Sequence, residues 1–357
     1  MGSLPGTTIT PELRSLAREF QLGGVILFGR NIEAPEQVAE LSYDLQSLAL
    51  ELPLWVSVDQ EGGRVARLRS PFTEWPPMAT LGRSGDATLA KRFAAALAAE
   101  LRAVGITLDY APVLDIHTNP KNPVIGDRAL ADDAALVAEL GVAIIQGLQE
   151  NGVAACGKHF PGHGDTAVDS HLELPIVEHP PDRIRRVECV PFRAAARAGV
   201  AFMMTAHVLV PSLDDEQPAT LSPRIVQAIL REELGYEGVI LSDDLEMKAI
   251  AKTWTIPDAA VQAIAAGCDG LLICSGDLET QATTLEALVY AVESNRIPYK
   301  RLEDALVRHR RAKERFLTRT DRKGPIPMRQ GGRKGAPSDV LGCDKHRDIA
   351  EEMARFL

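Results

Sequence analysis

One short stretch, Lys158–Pro175, KHFPGHGDTAVDSHLELP, packs in Lys158, His159, His163, Asp165, Asp169 and His171, side chains with acid, base or cationic chemistry. Three histidines within 13 residues first suggest a metal site. The spacing speaks against one. Pro161 and Gly162 lie between His159 and His163, so no regular helix presents both imidazoles on one face. No metal is expected. Lys158 and His159 end an apolar run and are placed to hydrogen-bond substrate hydroxyls. Asp169 and His171 are two positions apart on a loop, where such side chains can meet. A carboxylate there would fix the imidazole tautomer and stabilise its protonated form, making a general acid/base near neutral pH. Two polar residues of an exposed loop would read the same way, so the pair alone decides nothing.

Three further segments carry candidates. In LSDDLEM (241–247), Asp243 follows an apolar run, where a carboxylate serves as nucleophile or metal ligand. Asp244 must point elsewhere and is expected to cap the next helix. In VDQEGGRVARL (58–68), Asp59 can accept hydrogen bonds from hydroxyls, and Gly62-Gly63 permit a sharp turn. Arg64 and Arg67 can pair with the carboxylates; for Arg64, holding the loop together is the expected role. In NPVIGDRAL (122–130), Arg128 sits on a loop after the third run.

These residues need elements to bring them together. Short apolar runs (24–28, 54–59, 106–114, 154–160, 201–207, 238–243 and 270–274) alternate with stretches of three- and four-residue apolar spacing (36–50, 86–103, 132–149, 223–233 and 278–293). Repeated strand–helix alternation means parallel strands with helical crossovers, and strands covered on both faces read as continuous apolar runs. About seven units in this length favour an α/β fold of the (β/α)8 TIM-barrel type over a doubly wound sheet. Its first strand, MGSLPG, reads as incomplete or distorted. Nearly every run ends in Arg30, Asp59 and Glu61, Asp115, Lys158-His159, His207 or Asp243-Asp244, and barrel enzymes draw their chemistry from those strand ends. No GxGxxG turn or GxxxxGK[ST] loop supports nucleotide binding, and no cofactor is expected.

A net charge of -10 over 357 residues excludes the basic face that a nucleic-acid partner needs. The five cysteines lack CxxC spacing and read as small buried hydrophobes in a reducing compartment. The start, MGSLPGTTITPE, lacks a leader pattern, and no membrane-length apolar stretch occurs, so a cytoplasmic monomer without membrane partners is expected. Residues 1–318 are assigned to the barrel, the basic Gly/Pro-rich 319–337 to a linker, and 338–357 to a tail. The tail should hold a short helix from about Asp344, with Ile349, Met353 and Phe356 on one stripe.

Together GGVILFGRN, VDQEGGRVARL, NPVIGDRAL, KHFPGHGDTAVDSHLELP and GVILSDDLEM resemble, in this order, glycoside hydrolase family 3, and more narrowly its single-domain bacterial β-N-acetylglucosaminidases of peptidoglycan recycling. The resemblance implies a metal-independent retaining hydrolase. It implies Asp243 as nucleophile, His171 as acid/base with Asp169 as its partner, and Asp59, Arg128, Lys158 and His159 as holders of a terminal N-acetylglucosamine. Arg67 is a weaker candidate for the same shell. The implied substrates are small carbohydrates or muropeptide fragments. Alternatives on the same fold are a β-N-acetylglucosaminide phosphorylase and a β-glucosidase; a non-catalytic sugar-binding barrel is the alternative from another class.

Overall fold

The structure is a computed structural model that describes residues 1–48, 51–318 and 339–357. The expected linker, 319–337, lies outside the described residues.

Eight parallel strands follow one another around a nearly closed barrel: β1 (Gly2–Ser3), β2 (Gly24–Leu27), β3 (Trp55–Val58), β6 (Leu108–Asp109), β7 (Ala154–Phe160), β8 (Phe202–Thr205), β9 (Val239–Asp244) and β10 (Gly270–Leu272). A two-stranded antiparallel ribbon, β4 (Gln60–Gly62) with β5 (Val65–Ala66), rises from the end of β3. Side-chain alternation splits the core in two. Val25 and Leu27 join the large cluster under the helices, while Ile26 joins an inner cluster with Trp55, Tyr110, Phe202, Met204 and Leu272. There Trp55 meets Phe202 edge to face, with ring centroids 5.1 Å apart.

The intervening helices start where the sequence supplies caps. Asp86 accepts from the N–H groups of Thr88 and Leu89, and Asp133 from that of Leu136. Several elements differ from expectation. The run 106–114 forms a continuous strand only over Leu108–Asp109; Pro112 has no N–H for a ladder, and beyond it a single bridge, Val113 with Lys158, returns the chain to β7. The expected helix over 223–233 opens as α-helix at Pro223–Ile225 and widens to a π-helix over Val226–Glu233. The helix Tyr299–Phe316 was not anticipated; its Phe316 reaches the inner cluster, 6.2 Å from Trp55.

The first strand is short, as its poor β-formers implied. One seam, between β1 and β10, carries no ladder. It is bridged by the Met1 ammonium donating to Leu271 O at 2.6 Å and by Ile273 N–H donating to Met1 O at 3.1 Å. Above them Arg30 donates to Leu4 O at 3.0 Å and Ser3 Oγ at 2.7 Å, and also to Cys274 O.

The C-terminal helix, Asp344–Ala354, packs on the helices Ala79–Ser84 and Ala87–Ala103. Ile349 and Met353 are buried there. Phe356, expected on the same stripe, lies beyond the helix end and is 36% exposed. His346 Nδ1 sits 2.8 Å from buried Glu100 Oε1, which also takes the Gly342 N–H at 3.0 Å.

Close strand contact gives one test. A Cβ on Gly24 would lie 2.5 Å from Trp55 Cβ and 2.8 Å from Trp55 O. Gly24→Ala should therefore cost about 2–3 kcal/mol of stability in urea unfolding, the usual scale for overpacking.

Candidate active site

At the C-terminal ends of the strands lies a pocket of about 400 Å³, lined among others by Phe28, Asp59, Glu61, Arg67, Arg128, Lys158, His159, His171, Asp243 and Asp244. The pocket brings together seven of the eight residues singled out from sequence; Asp169 reaches it through His171.

One wall is an ion cluster. Glu61, on the ribbon after β3, is 1% exposed and takes Arg128 in a two-pronged pair, Nε to Oε2 at 2.9 Å and Nη2 to Oε1 at 2.8 Å. Lys158 Nζ, 3% exposed, lies 2.6 Å from Glu61 Oε1 and 2.7 Å from Asp59 Oδ1. Burial works against the charge of Glu61, but Arg128 and Lys158 overcome it and hold its carboxyl well below the usual carboxylate range. Burial likewise opposes the Lys158 ammonium, and Asp59 and Glu61 reverse the sign, holding its pKa above that of a free lysine. Arg67 is more loosely attached, 3.5 Å from Asp59 Oδ2 and 5.6 Å above the Phe28 ring. Arg64 pairs with Asp127 at 3.1 Å and donates to Ile125 O at 3.0 Å, so it fastens the loop that carries Arg128.

A second group forms the floor. His159 Nδ1 lies 2.6 Å from Asp115 Oδ2, which turns Nε2 away from that carboxylate. Asp243 ends β9. Burial alone would raise its pKa; His159, His207, the Asp244 N–H and Lys158 together outweigh that and keep it below the usual carboxylate range. Asp244 does not cap the next helix. It accepts the Glu246 N–H at 3.1 Å and lines the pocket, where burial and the charges of Glu246 and Asp243 push its pKa up to about 7. Beneath it buried His207 spans Thr220 Oγ1 at 2.8 Å and Asp244 O at 2.9 Å, fixing the backbone beside Asp243.

The third group is the loop after β7. His171 Nδ1 and its backbone N–H both lie on Asp169 Oδ1, at 2.7 and 2.8 Å. Burial works to raise the Asp169 pKa, and the two His171 hydrogen bonds with the imidazole's charge outweigh it and bring it below the normal value, so the carboxylate form prevails. With Nδ1 occupied, Nε2 is the atom left to exchange a proton. The pair stands out from the wall, with side chains 64% and 31% exposed. His163 is not a ligand-like neighbour: its ring nitrogens are taken by Thr166 and Ser170 hydroxyls. Among the described residues no group of His, Cys, Asp and Glu could hold a metal ion.

Sequence reading passed over Glu61 and Asp115 as site residues. Both stood at strand ends, but a carboxylate that grips neighbouring cations looks in sequence like any other acid. Glu246, Cys274 and Ser275 line the pocket with no sequence signal of their own.

The match to known proteins is extensive. The family model described as the glycosyl hydrolase family 3 N terminal domain matches residues 3–312. A β-hexosaminidase of Nitrosomonas eutropha is 40% identical over 340 residues, 92% of this chain and 96% of that protein. A glycoside hydrolase family 3 β-N-acetylglucosaminidase from Paenibacillus sp. FPU-7 superposes with a TM-score of 0.92 at 42% identity; it covers all of this chain, which spans 66% of that one. NagZ from Neisseria gonorrhoeae, in complex with N-trifluoroacetyl-D-glucosamine, superposes with a TM-score of 0.80 at 31% identity, covering 100% of this chain and 97% of its own.

The ion cluster sets a pH-dependent test. Glu61→Gln leaves Arg128 and Lys158 buried without their shared counter-charge, at a cost of about 3 kcal/mol. Because the folded pKa of Glu61 is depressed, its contribution is full above the unfolded value near 4.3 and fades as pH falls below it. The stability gap between wild type and Glu61→Gln, from denaturant titrations, should be constant from about pH 8 to 5 and shrink below about pH 4.

Proposed function

The chain belongs to glycosyl hydrolase family 3, and on that premise we propose that it hydrolyses a terminal β-linked N-acetylglucosamine with retention of configuration, through a covalent glycosyl intermediate on Asp243. The observation that carries this reading is the sharing of one pocket by Asp243, from the end of β9, and His171, from the loop after β7, with a cation-rich wall beside them. The names of the Nitrosomonas and Paenibacillus relatives and the ligand of the Neisseria enzyme support the choice of sugar. The pocket volume lies in the range of small-molecule sites.

In this reading Asp59, Lys158, His159 and Arg128 hold the hydroxyls of the terminal sugar, with Arg67 at the rim. Asp243, kept ionised, attacks the anomeric carbon as the glycosidic C–O bond breaks. His171 Nε2–H gives its proton to the departing oxygen, and Asp169 stabilises the imidazolium before transfer. Water then attacks the anomeric carbon, His171 Nε2 takes its proton, and the C1–Asp243 bond breaks. Most retaining glycosidases use two carboxylates about 5 Å apart. An imidazolium in place of the second one attracts the Asp243 charge and leaves the nucleophile ionised. The natural substrates are fragments of peptidoglycan, such as N-acetylglucosaminyl-anhydro-N-acetylmuramic acid, and the five free cysteines favour a reducing compartment for the reaction.

Asp243→Ala should abolish release of nitrophenol from the nitrophenyl β-N-acetylglucosaminide while leaving the circular dichroism spectrum intact. Wild type should release free N-acetylglucosamine at a rate unchanged by added phosphate, and should cleave the corresponding glucoside far more slowly. Formation of a sugar phosphate would establish phosphorolysis instead. His171→Ala should lower kcat/KM on a poor leaving group about 100-fold more than on an activated nitrophenol, the scale of general acid catalysis. Equal losses on both would remove His171 as the acid.

A further inference from the structure

Ser170 separates Asp169 from His171, yet it is only 2% exposed while both its neighbours project outward. Its hydroxyl lies 3.0 Å from His163 Nε2, and its carbonyl accepts the Ala249 N–H at 3.2 Å. Ala249 belongs to the short helix Lys248–Ala251 just beyond the strand end that carries Asp243 and Asp244, so one residue ties the loop to the elements on both sides of the pocket. His163 is itself immobilised. Its N–H reaches Asp115 Oδ1 at 2.6 Å, its carbonyl accepts from Asn122 Nδ2 at 2.8 Å, and Nδ1 lies 2.7 Å from Thr166 Oγ1. Asp115 is the same carboxylate that orients His159.

The proton positions follow from the network. Taking the Thr166 hydroxyl as the donor to His163 O at 3.1 Å assigns the ring hydrogen to Nδ1, which then donates to Thr166 Oγ1 at 2.7 Å. Burial presses the His163 pKa down to about 4, so the ring is neutral and Nε2 is a bare acceptor. The Ser170 hydroxyl is then the donor, aimed into the protein. At its far end the loop is fastened a second time, where the Asp165 carboxylate meets the His179 ring.

We propose that the His163–Ser170 hydrogen bond is a latch that fixes the swing of the Asp169–His171 pair, making Ser170 and His163 positioning residues for proton transfer to the departing oxygen. The proposal rests on His171 being the acid. A latch of this kind acts only on the step that uses the proton; a residue that merely supports the fold would affect every substrate alike.

The test compares kcat/KM, which reports bond cleavage up to the first irreversible step, on a series of aryl β-N-acetylglucosaminides of rising phenol pKa. His171→Ala sets the reference slope. Ser170→Ala should steepen the dependence in the same sense, losing about 10-fold on the poorest leaving group and less than 2-fold on the most activated. His163→Asn, which cuts the latch from the other side, should do likewise, and the double variant should be no worse than either single one, because both break one interaction. Ser170→Thr, which keeps the hydroxyl, should retain most of the activity. Equal losses across the series, unchanged slopes, or additive effects in the double variant would overturn the latch while leaving His171 in place. A flat series for His171→Ala would overturn the acid assignment, and the latch with it.

Discussion

The pocket depends on one buried carboxylate. Glu61 has 1% of its side chain exposed and grips both prongs of Arg128 and the ammonium of Lys158. These two cations come from different places, a loop after the third run and the end of β7, and neither would be stable underground alone. Asp59 takes a second donor of the Lys158 ammonium, so a second carboxylate is drawn into the same lattice. The result is a wall whose charges are matched within the protein. Its geometry is set before any substrate arrives, which is what tight, orientation-dependent recognition of hydroxyls requires.

The remainder of the site is graded from rigid to loose around that wall. The floor is firmer: Asp115, His159 and His207 are buried and hydrogen-bonded, and Asp243 lies beside them near the end of β9. The Asp169–His171 pair, by contrast, projects from a loop into solvent, held at Ser170 and at the Asp165–His179 contact. Under the proposed reaction this contrast has a purpose: the nucleophile and sugar-binding groups stay put, while the proton donor must serve first a departing oxygen and then an incoming water. The weakest part of the barrel, the seam beside β1, lies one strand from Asp243 and is tied at the rim by Arg30, which bridges Leu4 to Cys274 in the pocket wall.

Much of this was legible in the residues. Barrel topology followed from apolar runs separated by helical spacing, and the poor β-formers of MGSLPG foretold the stunted first strand. The local Asp169–His171 contact could be anticipated because it spans only two residues. What stayed hidden was whatever depends on long-range pairing. Glu61 and Asp115 were visible as strand-end acids, but their roles as anchors for Arg128 and His159 need partners 67 and 44 positions away. Asp244 was misread because a carboxylate before a helix looks like a cap; here the turn brings it into the pocket instead. Ser170 gave no sign at all, since burial of one loop residue between two exposed ones leaves no periodic trace.

The central claim, that Asp243 forms a covalent bond to the sugar, is most directly tested by trapping. The enzyme would be incubated with 5-fluoro-N-acetylglucosaminyl fluoride, whose slow second step lets a glycosyl-enzyme accumulate, then digested and mapped by mass spectrometry. The account predicts one added fluorosugar on the peptide containing LSDDLEM, localised to Asp243 and absent from Asp243→Ala. A label on Asp244, Asp59 or any other residue, or turnover with no label under conditions where product forms, would contradict it.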